Sequence, residues 1–62
     1  MSDIKEELVL ELQKLLKQKQ GMTDYLCLKL NQEDWHGVAD AAMDIREIVS
    51  KTMAVSEILE KL

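Results

Sequence analysis

Residues 38–62 read VADAAMDIREIVSKTMAVSEILEKL, and this stretch decides the fold class. Val38, Ala41, Ile45, Ile48, Thr52, Val55, Leu59 and Leu62 recur at alternating intervals of three and four. An α-helix brings residues at that spacing onto one side, so they form a heptad seam and not a strand pattern. Ala42, Val49 and Ile58 thicken it. A helix with so broad an apolar stripe must lay it against another element.

Toward the N-terminus, Asn31 is the expected boundary. Its side chain can accept from the unpaired N–H groups of a helix start, with Glu33 and Asp34 adding negative charge in the first turn. Before it, Leu8, Leu12, Leu15, Met22 and Leu26 keep the same spacing, with Leu16 and Leu30 broadening the stripe. Asp3 is the expected cap of this helix, and Glu6 and Glu7 suit its first turn. Lys19 interrupts the seam and Gly21 follows it. The helix either runs through Gly21 at a cost of about 1 kcal/mol or stops near Gln20 with Gly21 in a left-handed cap. With no proline and only two glycines in the chain, the continuous helix is preferred. The expectation is one all-α domain: a helix over about 3–30, a turn over about 31–33 and a helix over about 33–62. A turn that short makes the two helices antiparallel.

Two helices cannot enclose stripes this wide. Sixty-two residues lie near the lower size limit for independent folding, since ordering costs about 1.5 kcal/mol per residue. The single cysteine, Cys27, rules out an intrachain disulfide, and the single histidine, His36, leaves no zinc-type cluster. Assembly with further copies, into a four-helix bundle or a larger closed oligomer, is the remaining staple. Its expected core is Leu8, Leu12, Leu15, Leu26, Val38, Ala41, Ile45, Ile48, Val55 and Leu59. Cys27, among Leu26, Leu28 and Leu30, is read as a small apolar core residue. The absence of a membrane-length apolar run and of a signal-like N-terminus leads to an expectation of a cytoplasmic protein without membrane contact. The net charge of −4 argues against a broad nucleic-acid footprint.

For chemistry, His36, Asp40 and Asp44 stand four residues apart on one helix face with Glu47 beside them. They can hold a cation, with His36 as a base, or form a solvated face paired with Lys51; the second is the commoner use of such a row. Trp35 and His36 open the second helix, where an indole can stack on a ligand and Arg46 of a neighbouring subunit can reach a phosphate. The alternative is that Trp35 packs over Leu30. Gly37, Ala39, Ala41 and Ala42 permit close helix packing. Lys14, Lys17 and Lys19 form a basic patch that serves solubility, an acidic partner or RNA. No cofactor is expected.

The segment DWHGVADAAMDIREI, residues 34–48, resembles one found in short phage-encoded proteins of uncharacterised function. The hairpin plan is similar to that of phage anti-defence proteins that sequester cyclic nucleotides. Together these resemblances imply a non-catalytic phage accessory protein that binds or sequesters a host factor, either a small nucleotide signal or a host protein. Trp35, His36, Asp40, Asp44 and Arg46 are then its contact residues. The plan and length also resemble the plasmid copy-control regulators, which implies an RNA-binding bundle as the alternative. Glu7 with Glu11, and Asp40 with Asp44, are similar to the paired acidic motifs of metal-dependent all-α nucleotide pyrophosphohydrolases, but their spacing departs from that family's pattern.

Overall fold

The computed structural model describes residues 2–62. Helix α1 spans Ser2–Asn31 and helix α2 spans Trp35–Lys61, with no strand among the described residues. They fold back on each other into a rod of 48 × 14 × 11 Å. The thirty residues of α1, at about 1.5 Å each, account for its length. Neither helix is long and apolar enough to cross a membrane.

The two seams meet inside the hairpin. Leu8, Leu12, Leu15, Met22 and Leu26 of α1 are buried or half-buried, as are Val38, Ala41, Ile45, Ile48, Thr52, Val55 and Leu59 of α2. Thr52 sits in an apolar seam without an orphaned hydroxyl, because its Oγ1 donates to the Ile48 carbonyl at 2.9 Å. Lys19 is exposed, so the seam is broken there, as its position predicts. Only Leu15 and Ala41 are fully covered apolar side chains among the described residues. One hairpin therefore covers the narrow seam and leaves the broader stripe open. Leu16, Leu30, Ala42, Ile58 and Leu62, expected to thicken or extend the core, are all exposed.

Two further expectations are corrected. Cys27 is exposed. It follows Leu26 by one residue, about 100° around the helix, so it turns away from the seam. Asp3 lies inside the first turn of α1 and does not precede it as a cap; its charge still suits the positive end of the helix dipole.

Helix α1 runs unbroken through Gly21, where an added Cβ would meet nothing within 4 Å. Gly21→Ala should therefore raise stability by about 1 kcal/mol, the difference in helix propensity. Gly37→Ala should fall short of that gain. A Cβ there would lie 2.8 Å from Lys29 Cδ and 3.0 Å from Asp34 Oδ2. Denaturant titration of both variants checks this, and equal gains would contradict close packing at Gly37.

Candidate functional site

The best-defined local structure is the turn that joins the helices. The Gln32 N–H donates to the Leu28 carbonyl at 3.1 Å, closing the last regular turn of α1. The Asp34 N–H then reaches back to Lys29 O at 3.0 Å and the Glu33 N–H to Leu30 O at 3.1 Å. That pair of bonds is a Schellman closure, and Glu33, at φ 55°, holds the left-handed position usually given to glycine. The expected role of Asn31 is thus corrected: it is the last residue of α1, and the cap of α2 is Asp34. The Asp34 side chain accepts from the Gly37 N–H at 3.1 Å, and its carbonyl accepts from the Val38 N–H at 2.9 Å. Closing α1 consumes residues 32 and 33, which moves the cap of α2 from the expected Asn31 to Asp34 and its first residue from about 33 to Trp35.

Lys29 locks this turn. Its Nζ lies 3.4 Å from Asp34 Oδ2, 3.4 Å from Gln32 Oε1 and 5.2 Å from the centre of the Tyr25 ring. Its methylene stem passes over Gly37, which has no side chain to obstruct it. The hydrogen bond from the Gly37 backbone N–H, followed by that from Lys29, holds the Asp34 carboxyl below its ordinary 3.8. The hydrogen bond to Asp34, followed by the charge interaction with the Tyr25 phenol, holds the Lys29 ammonium above its ordinary 10.5. A depressed carboxyl pKa gives stability that is present above the unfolded value and lost as pH falls through the folded one. A raised ammonium pKa gives stability that is present below the unfolded value and lost as pH rises through the folded one. Both contributions are therefore present at neutral pH. Asp34→Ala should lower the melting temperature at pH 7, and the gap from wild type should close as the pH falls below about 4. Melting curves over that range test this; a gap that persists at low pH would contradict the capping role.

Trp35 stands 64% exposed at the first residue of α2, and Leu30 is exposed as well. Trp35 is therefore not enclosed in the core of the hairpin. His36 is almost wholly exposed, with Nε2 3.7 Å from Asp40 Oδ2. Glu47 and Lys51 pair at 3.6 Å further along the helix. The row of His36, Asp40 and Asp44 is a solvated face with exposed ion pairs of little energetic weight. No three His, Cys, Asp or Glu side chains among the described residues gather at a point that could hold a metal ion. Arg46 lies roughly 16 Å along the helix from Trp35, so one chain does not bring it to the start of α2. At that start the Asp34 carboxylate already occupies the place an anion would take.

The flanks of the hairpin differ in character. Gln18, Asp44 and Lys51, each one residue ahead of a seam position, line one shallow groove between the helices together with Glu47. Residues that follow a seam position must then share the opposite flank of the antiparallel pair. Every seventh residue on that flank is Val9, Leu16, Thr23 and Leu30 on α1 and Trp35, Ala42, Val49 and Ser56 on α2, and the same rule adds Gln13, Cys27, Ala39, Arg46, Met53 and Glu60. One flank presents charges along its groove, and the other carries few, Arg46 and Glu60. Trp35 falls at the turn end of the apolar flank, Arg46 at its rim, Asp40 and Asp44 on the charged side, and His36 on the outer surface of α2. Sequence reasoning groups these five residues together; the hairpin distributes them over three surfaces. It misses Lys29 and Glu33, which carry no sequence signal of their roles.

Comparison with protein-family models, with characterised proteins and with solved structures finds no match.

Proposed function

We propose that this chain is a non-catalytic binding protein that assembles with copies of itself and captures a host protein, in the manner of a phage accessory protein acting against host defence. The observation that carries this reading is the set of large side chains held in solvent on α2. Trp35, Met43 and Met53 are all exposed on a helix whose seam is already covered by α1. Tryptophan, methionine and arginine are among the residue types enriched at protein–protein contacts. Arg46 stands exposed between the two methionines. A protein partner suits this surface better than a nucleotide does. Asp34 fills the anion position at the start of α2, Glu33 stands beside it, and Arg46 is too far along the helix to join them in one chain.

The test is capture from bacterial host cytosol with immobilised wild-type protein and with the Trp35→Ala/His36→Ala double variant. A protein retained by the wild type and lost with the variant is the expected outcome. Equal retention by both, or nucleotide as the co-purifying material, would overturn the reading.

A further inference from the structure

We propose that the apolar flank formed by Val9, Leu16 and Leu30 of α1 with Ala42 and Val49 of α2 is the surface on which a second copy of this chain docks, closing a four-helix bundle. The inference deepens the self-assembly half of the proposed function and rests on it; the capture half is read separately, through Trp35 and His36.

The amount of exposed surface points to a second copy. A compact chain of 7.1 kDa exposes about 4,100 Å², whereas this one exposes 4974 Å². The excess, roughly 900 Å², is close to the 800 Å² or so that each partner contributes to a standard protein–protein interface. The radius of gyration of 14.4 Å, against about 10.5 Å for a compact chain of this length, shows the same departure.

The distribution of charge selects the flank. The opposite side presents Gln18, Asp44, Glu47 and Lys51 along its groove, and burying it would take the Asp44 carboxylate and the Glu47–Lys51 pair out of water. On the apolar flank, the polar side chain at its middle is already satisfied, because Thr23 Oγ1 donates to the Lys19 carbonyl at 2.8 Å. A second copy can therefore cover that hydroxyl without leaving it unpaired. A flank that pairs with itself about a two-fold axis needs no other protein, and it places α1 and α2 of both copies around one core.

Leu16 and Leu28 allow a matched test. Both are leucines of α1 with nearly equal exposure, 47% and 50%, but Leu16 lies on the apolar flank and Leu28 on the outer surface of the helix. By sedimentation equilibrium, Leu16→Glu should abolish the assembled species across the micromolar range, and Leu28→Glu should leave it unchanged. Leu16→Ala adds no charge, so it should still assemble, with a dissociation constant raised about tenfold or more. This alanine variant keeps the test decisive where Leu16→Glu costs the chain its helices. A monomeric wild type would overturn the inference. So would equal effects of the two glutamate substitutions, or a Leu16→Ala variant that associates as tightly as wild type. None of these readings involves host-protein capture, so a failure here is distinct from a failure of Trp35→Ala/His36→Ala.

Discussion

Ile48→Asp should abolish helicity and assembly together. Ile48 is half-buried in the middle of the α2 seam, between Ile45 and Thr52. Enclosing an unpaired charge costs several kcal/mol. A chain of this length has a net folding free energy near zero before any staple is added, so the loss exceeds what one hairpin can absorb. Ile45→Asp should behave in the same way. The far-ultraviolet circular dichroism of both variants should be that of an unfolded chain, and sedimentation should give single-chain mass. A fully helical, assembled variant would show that the seam is not the core face.

Trp35→Ala combined with His36→Ala should leave the fold nearly untouched and remove partner capture. A core tryptophan costs about 3–5 kcal/mol when truncated to alanine. Trp35 is mostly in solvent and His36 more so, and surface substitutions of this kind usually stay within about 0.5 kcal/mol. A tryptophan at the centre of a contact, by comparison, contributes about 2 kcal/mol or more to binding, a loss of roughly thirtyfold in affinity. Melting temperature and affinity for the captured protein, measured on the same samples, separate the two effects. A folded variant with unchanged affinity would move the binding site away from this end of the hairpin, toward the exposed Lys14, Lys17 and Lys19.

The helices are legible in the sequence because their spacing is regular and proline is absent. Val38 to Leu59 and Leu8 to Leu26 face each other in the hairpin as their intervals require. The turn is harder to read because two residues there act against their usual signals. Asn31 has the chemistry of a cap but ends α1, while Glu33 adopts a left-handed conformation that glycine usually marks. The glycine that does stand out, Gly21, lies in an uninterrupted helix. Lys29 cannot be found from spacing at all, since its role depends on the fold bringing Asp34 and Gly37 beneath its side chain. The neighbours of Cys27 in sequence mislead; its angular position, one step past Leu26, places it outside the seam. The grouping of Trp35 with Arg46 fails for a related reason, because nearness in sequence ignores the length of α2 between them.

The central claim is that this hairpin is stable only in company with a second copy, and its most direct test is the helicity of the wild-type chain as a function of concentration. Circular dichroism and sedimentation on the same dilution series should change together. At micromolar concentrations the chain should be helical with a mass of twice 7.1 kDa or a small closed multiple of it, and dilution should remove the helical signal as that mass falls. A helical signal that persists unchanged on dilution, in a species of single-chain mass, would contradict the claim.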